Sequence, residues 1–464
     1  MEAITIPHVR IPSINIGGIC LSGIGAPGSI GKKGLIWPAG MKEHIKAWYD
    51  PKKQGMTNFD VIEAYVEDFT NWNYVKARGV VTISQHKFII TECILNGLGI
   101  VEDIQEPYSN LTVRITGITD NQEVLITDYF NGQHQIINTI TEDGIYTIED
   151  RHHFVGFGCN FVGTCNITIE QLPTSILKDF SGNGNHAYLY GGKGKLNSGM
   201  GVYQQDFSNV RGVTTVSANG FELFREGTGG TYLARISIGY WNNKECKLLF
   251  ETNNTSNLYY IRYRKANNDI VTSVRLHNGE NIIPAQDDLT DVSEVIFEGA
   301  LRDNEYIRVI EIPDYPDQLC YDGKMYAVCY GFPILTDYTV MAERTWFERQ
   351  NRACFLSKIT TSGTGAFGFE FYNEYNEDTT YSFGRANNVE YFKDGITYQI
   401  TNSYNGIVKL DYIVNGKDNA ELYIGKLRPS ERSAFIGCHG AIIIADRSFT
   451  EEEINWLKQN WDKI

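Results

Sequence analysis

The sequence predicts a mainly β protein built from several sandwiches. Its 464 residues include 28 Tyr, 23 Phe and 45 Gly, with only 21% charged residues. Aromatics and glycines in that proportion favour strands joined by tight turns. Apolar residues at every second position recur along the chain, as expected of sheets with one face buried and the other wet. Helical periodicity is confined to residues 41–72 and the C-terminus.

The elements are expected in the following order. Residues 1–40 alternate Ile14 and Ile16 with polar neighbours and then run through a Gly- and Ile-rich stretch containing Ile19, Leu21 and Ile24. This segment has too little bulk for a core. With Ile11, these residues form a strand that either docks on a partner's sheet edge or lies on this chain's own sheet. In residues 41–72, Phe59, Ile62, Tyr65, Val66, Phe69 and Trp72 recur at helical spacing behind a capping box of Thr57 and Asp60. Strands follow. Leu111, Val113 and Ile115 form one apolar face, Tyr259, Ile261 and Tyr263 a second, and Tyr338, Val340 and Ala342 a third. Ala441–Ala445 is continuously apolar, which predicts a strand covered on both faces. A terminal helix begins with Thr450 and Glu453 as a capping box and carries the stripe Ile454, Leu457, Trp461 and Ile464.

Two stretches of similar length suggest an internal repeat. One runs from about Val81 to Ile169-Glu170-Gln171-Leu172-Pro173, the other from about Val213 to Ile310-Glu311-Ile312-Pro313. At a soft prior of roughly 150 residues per domain, the length allows two to four domains.

The net charge of -15, without a Lys/Arg cluster, argues against nucleic acid as a partner. The nine cysteines are scattered without a C-x-x-C pair, which favours free thiols in a chain folded in a reducing cytoplasm. No basic region precedes an apolar core at the N-terminus, so no signal peptide is expected. No apolar run reaches the ~20 residues of a membrane span.

Asp179-Phe180-Ser181-Gly182-Asn183-Gly184-Asn185-His186 resembles the D-x-S-G-N-G-N turn of concanavalin A-like (LamG-type) jelly-roll domains. Leu319–Tyr326, Asp337–Arg344 and Phe435–Leu457 are similar to the strand and turn, core strand, and closing strand and helix of that family. The opening Ala47–Asn58 resembles the start of this domain in proteins of crAss-like bacteriophages. The resemblance implies a concanavalin A-like jelly-roll sandwich interrupted by two smaller β-sandwich modules, with a short C-terminal helix. On that basis residues 1–40 are an anchor, 41–80 open the lectin-like domain with a helix, and 81–173 form the first insert. Residues 174–212 continue the lectin-like domain, 213–318 form the second insert and 319–464 complete it. Insertion is tolerated where the chain ends lie close together.

Motifs for catalysis and cofactors do not hold together. The E-x-D-x-x-E strand of jelly-roll glycosidases is absent, and Glu370, Glu374, Glu377 and Asp378 read as a solvated edge. Asp179, Ser181 and Asn183 mimic half of an EF-hand loop, but Tyr190 stands where the bidentate Glu belongs, so a side-chain-stabilised turn is expected. Gly23-x-Gly25-x-x-Gly28 lacks the strand–helix context of a dinucleotide fingerprint, and His152-His153 lacks ligand partners at metal-site spacing.

The expectation is therefore a non-enzymatic structural virion protein of a bacteriophage, namely a head fibre, capsid-decorating or tail component. It would need no cofactor or metal. It would fold in the host cytoplasm and stand on the virion surface as a homo-oligomer, docked on capsid or tail subunits through Ile11, Ile14, Ile16, Ile19, Leu21 and Ile24. The alternative is an adhesin that binds host glycans, with Tyr372, Tyr375 and Tyr381 as sugar contacts, because tyrosine offers a flat apolar ring with a polar tip.

Overall fold

In the computed structural model the alternating segments are antiparallel strands, and the fold is mainly β, with multiple sheets and one short C-terminal helix. The structure describes residues 14–16, 19–21, 35–56, 61–74, 78–94, 98–103, 110–130, 133–149, 154–201, 205–207, 210, 215–217, 219–227, 231–254, 256–335, 337–348, 353–358, 369–372, 388–393, 396–399, 406–413, 421–426 and 435–464.

Among the described residues of 43–449 there are three separate apolar cores. The first is assembled from distant parts of the chain: Ala47, Tyr49 and Val61, then Leu177 and Leu189, then Leu319 to Ile444. It lies between a six-stranded sheet, in the order 176–177, 187–190, 326–329, 422–424, 354–358, 369–372, and a larger sheet centred on Ile436–Ala445. We call this the body. The second core, from Phe69 to Ile169, belongs to a first module, and the third, from Phe207 to Val309, to a second.

The two modules share one topology. Among the described residues each has nine strands, running from Gly79–Ser84 to Gly163–Gln171 in the first and from Thr215–Ser217 to Tyr306–Glu311 in the second. Numbered within a module, both have one sheet of order 7-4-9-2-1 and a facing sheet of order 6-5-8-3; the first module adds Asn73–Tyr74 beside its strand 3. The likeness extends to single hydrogen bonds. Gln171 N–H donates to His86 O and Glu311 N–H to Asn219 O, each acceptor lying just before strand 2. Leu172 N–H donates to Thr112 O and Ile312 N–H to Lys247 O, each acceptor being the second residue of strand 4.

Burial follows the alternation at Leu111–Thr116 and Tyr259–Arg264, where every second residue is inside. It departs from alternation at Asp337–Glu348. Thr339 and Met341 are as fully buried as Val340 and Ala342, so both faces of this strand are covered. Ala441–Ala445 is buried on both faces, as its continuous apolar run predicts, and burial extends over the whole strand Ile436–Ala445, His439 included.

Among the described residues of 41–72 the expected helix is not found. Ile45–Tyr49 is a strand, Pro51–Gln54 a single helical turn capped by Asp50, and Phe69–Asn71 a 3-10 turn. Gly55 ends the helical turn at φ 76, a left-handed conformation that glycine adopts without a Cβ clash. The apparent periodicity arose because the segment serves two cores. Val61 is buried in the body, Phe69 and Trp72 belong to the first module, and Ile62 is 47% exposed. Thr57, Phe59 and Asp60 lie outside the described residues.

Residues 1–42 and 450–464 form a separate unit. In it Ile14–Ile16 and Ile19–Leu21 pair with each other as a hairpin, Ile14 opposite Leu21 and Ile16 opposite Ile19. Ile11 and Ile24 lie outside the described residues. The helix Glu451–Asn460 has the expected capping box, with Thr450 N–H donating to Glu453 and Glu453 N–H donating to Thr450. Ile454 and Leu457 are buried on it and Trp461 in the 3-10 turn that follows, whereas Ile464, expected on the same stripe, is only half-buried; Trp37 packs against Trp456 at 4.9 Å.

Candidate functional site: a tyrosine cluster beside the first module

The outer face of the six-stranded sheet carries an aromatic cluster. In Ala187–Tyr190 and Tyr326–Cys329, the small and aliphatic residues Ala187, Leu189, Ala327 and Cys329 enter the core. Period two then puts Tyr188, Tyr190 and Tyr326 on the opposite face. Strand register places Tyr190 beside Tyr326, and Val328 between Tyr188 and Tyr423. Tyr190 and Tyr326 stack at 5.1 Å with 10° between their planes, and the Tyr190 and Tyr330 hydroxyls are 2.8 Å apart.

Charged groups edge these rings. The Arg114 guanidinium, from the first module, lies 4.4 Å from the centre of the Tyr330 ring and 3.2 Å from the Glu421 carboxylate. Lys426 lies 4.3 Å from the centre of the Tyr326 ring. Such cation–π contacts contribute about 0.5–1 kcal/mol each at partly exposed positions. Glu63, in the segment leading to the first module, accepts from the Tyr65 hydroxyl at 2.6 Å and from Gly191 N–H at 2.7 Å. Tyr65 stacks on His86 at 3.6 Å. A solvent-open cavity of about 570 Å³ lies beside them, lined by Glu63, Tyr65, Val66, Glu67, Asp68, Gln85 and His86.

The electrostatics keep these phenols protonated. Burial is the largest influence on Tyr65, Tyr190, Tyr326, Tyr330 and Tyr423, and raises each above the ordinary tyrosine value; Tyr330 is pushed up to about 12. The Glu170 carboxylate adds to the rise at Tyr65, Tyr190, Tyr326 and Tyr330. Half-buried rings whose hydroxyls stay neutral can stack on an apolar face while donating and accepting hydrogen bonds. Flat, neutral and hydroxyl-rich ligands suit such a surface.

The Asp179 turn is a fastener. Asp179 is 4% exposed. Its Oδ1 accepts from Trp48 N–H and Ser181 N–H, and its Oδ2 from Ser181 Oγ and Asn185 N–H. Asn183 and Asn185 side chains donate to Ile45 O and Lys46 O. Asp179 thus spends both oxygens on the turn and on strand Ile45–Tyr49, and among the described residues no group of three His, Cys, Asp or Glu is arranged to hold a metal ion. Tyr190, which stands at the twelfth loop position, belongs instead to the tyrosine cluster.

The tyrosines singled out from the sequence are not the ones that converge. Tyr372 ends strand Phe369–Tyr372 at the edge of the six-stranded sheet, while Tyr375 and Tyr381 lie outside the described residues, as do His152, His153 and the Gly23–Gly28 motif. In the sequence only Ala187-Tyr188-Leu189-Tyr190 shows tyrosine alternating with apolar residues, and Tyr326 stands alone in Tyr326-Ala327-Val328-Cys329, so nothing local signalled that these rings meet.

No protein-family model matches the chain, and no similar curated protein is found. Among solved structures, a Trypanosoma rangeli sialidase in complex with sialic acid is 10% identical, covering 84% of this chain and 84% of that chain at a TM-score of 0.21. A triple jelly-roll chain of an archaeal virus turret assembly is 10% identical, covering 89% of this chain and 98% of that chain at a TM-score of 0.12. Scores this low leave the role to be argued from the residues.

Proposed function

We propose that this chain is a structural component of a bacteriophage particle that displays its sandwiches and acts by binding, without turnover. The observation carrying this reading is a pair of matched clamps. At the end of the ninth strand of the first module, Gln171 is 1% exposed and accepts from Val66 N–H at 2.7 Å and Glu67 N–H at 2.9 Å. At the same place in the second, Glu311 is fully buried and accepts from Gln205 N–H at 3.1 and 3.2 Å. Each clamp ties the outgoing strand to the incoming chain, so each module is held at a doubled attachment. That stiffness suits display better than hinged capture. The phage assignment rests on the resemblance at Ala47–Asn58 and Asp179–His186. In this reading the chain folds in the host cytoplasm, assembles as a homo-oligomer and docks on capsid or tail subunits through the segment that holds Ile11, Ile14, Ile16, Ile19, Leu21 and Ile24. The free thiols of Cys93, Cys159, Cys165, Cys246, Cys320, Cys329, Cys354 and Cys438 accord with cytoplasmic folding.

Mass spectrometry of purified particles is expected to find the chain in mature virions. A chain lacking residues 1–34, which keeps Trp37 against Trp456, is expected to fold and yet be missing from particles. Absence of the intact chain from virions would refute the assignment.

A second reading, glycan binding on the same particle, is favoured by the tyrosine cluster on the outer face of the six-stranded sheet. Tyr326→Ala is expected to weaken binding to any polysaccharide retained on a glycan array by about tenfold, with Tyr326→Phe much milder because the ring stack survives. Retention that is indifferent to Tyr326→Ala, or no retention beside a working control lectin, would reject this site.

A further inference from the structure

We propose that Cys320 and Cys438 are a modification site: a thiol pair that a small disulfide oxidant converts to a cross-strand disulfide, locking the body after the chain has folded reduced. Strand Leu319–Asp322 pairs with Ile436–Ala445 so that Cys320 lies directly opposite Cys438. Residues directly opposite in an antiparallel pair share a face and have Cα atoms about 4.5–5.5 Å apart. Disulfides span Cα separations of about 4.4–6.8 Å. The neighbours fix the face. Tyr321 and His439 point together into the body, where the Tyr321 hydroxyl lies 3.0 Å from His439 Nε2, and the two cysteines therefore point to the other side of the sheet.

Both thiols are fully buried, and the turn before Leu319 lies against Cys438. Cys438 Sγ donates to Gln318 Oε1 at 2.9 Å, and Gln318 N–H donates to Tyr315 O in the turn that returns the chain from the second module. Tyr315 packs on Phe347 of the neighbouring strand at 4.5 Å and is half-buried. Leu319–Asp322 is a four-residue strand at the sheet edge whose Leu319, Cys320 and Tyr321 are buried, so an oxidant reaches the thiols only when this edge opens. Fraying of this edge and its preceding turn gives an oxidant its route, and both residues return to register when the strand closes.

The reaction balances with oxidised glutathione. One cysteine loses its proton, and the thiolate attacks a glutathione sulfur and expels a glutathione thiolate. The second cysteine, deprotonated in turn, attacks the mixed disulfide and expels the second. Two protein thiols become one disulfide, and one glutathione disulfide becomes two glutathione thiols. The bond would close a loop spanning most of the C-terminal third of the chain and fix the strand that re-enters the body after the second module.

The test uses the full chain. It is oxidised with glutathione disulfide in its folded state and, separately, refolded from denaturant in a glutathione redox buffer so that burial does not limit access. Free thiols are then blocked with N-ethylmaleimide, and the unreduced digest is mapped by mass spectrometry. The expected result is a linked peptide pair containing Cys320 and Cys438 in the refolded sample. It should form slowly in the folded one, vanish in Cys320→Ser and Cys438→Ser, and be accompanied by an upward Tm shift of about 5 °C or more that dithiothreitol reverses. Both cysteines recovered only as maleimide or glutathione adducts after refolding, or either one linked to a different cysteine, would overturn the proposal.

Discussion

Replacing Asp179 with alanine is expected to destabilise the body by about 4 kcal/mol and to strip protection from strand Ile45–Tyr49. A single carboxylate at 4% exposure answers three backbone N–H groups and one hydroxyl, from Trp48, Ser181 and Asn185. Hydrogen bonds to a charged group contribute about 1.5–3 kcal/mol each and are not additive, and donors stranded by truncation add their own desolvation penalty. The damage should travel, because Trp48 belongs to the strand beside Ile443 in the central sheet. Asp179→Asn separates the causes. Its oxygen preserves two acceptor sites, but its NH2 meets donors on the other side, so about half the loss should remain. Hydrogen exchange of the Ile45–Tyr49 amides, measured alongside urea unfolding, checks both values. Unchanged protection in Asp179→Ala would show that the turn fastens nothing.

The second large effect is pH dependence that differs between modules. Burial raises the Glu311 carboxyl from 4.5 to about 8, opposed by the Gln205 N–H and aided by the Asp314 carboxylate. Folding therefore takes up a proton at Glu311 between pH 4.5 and 8. Its contribution to stability is complete below pH 4.5 and is lost as pH rises through 8, on the order of 4 kcal/mol across the window. His439 works in the opposite direction. Complete burial lowers its imidazole from 6.5 to about 4, despite the partial compensation from Gly440 O. Its contribution is present above pH 6.5 and lost as pH falls through 4, on the order of 3 kcal/mol. The second module should thus weaken toward alkaline pH and the body toward acid. Glu311→Gln installs the amide that the first module already carries at Gln171, where one oxygen accepts two backbone N–H groups. In calorimetry that variant should match the parent near pH 4.5 and melt the second module several degrees higher at pH 8. An equal shift at both values would mean that proton uptake at Glu311 plays no part.

Several elements were legible because a local rule and the tertiary environment agreed. Leu111, Val113 and Ile115 alternate and are buried alternately, and Thr450 and Glu453 form the box that their spacing predicts. The repeat was faintly legible in two similar endings, Glu170-Gln171-Leu172-Pro173 and Glu311-Ile312-Pro313. Those endings are the clamps, where the chain leaves one module and must bond to its own incoming segment. Residues 41–72 misled because Val61 and Phe69 answer to different cores.

Composition and alternation by themselves determined the mainly β class, and the Thr450–Glu453 spacing the capped terminal helix, since each depends on neighbours within a few residues. Tertiary structure alone decided that Tyr65, Tyr190, Tyr326 and Tyr330 gather around Arg114 and Glu170, that Cys320 faces Cys438, and that Thr339 and Met341 are buried. These facts depend on strands brought together from tens to hundreds of residues apart. Alternation says which residues share a face of one strand, but only the packed sheets decide what each face meets.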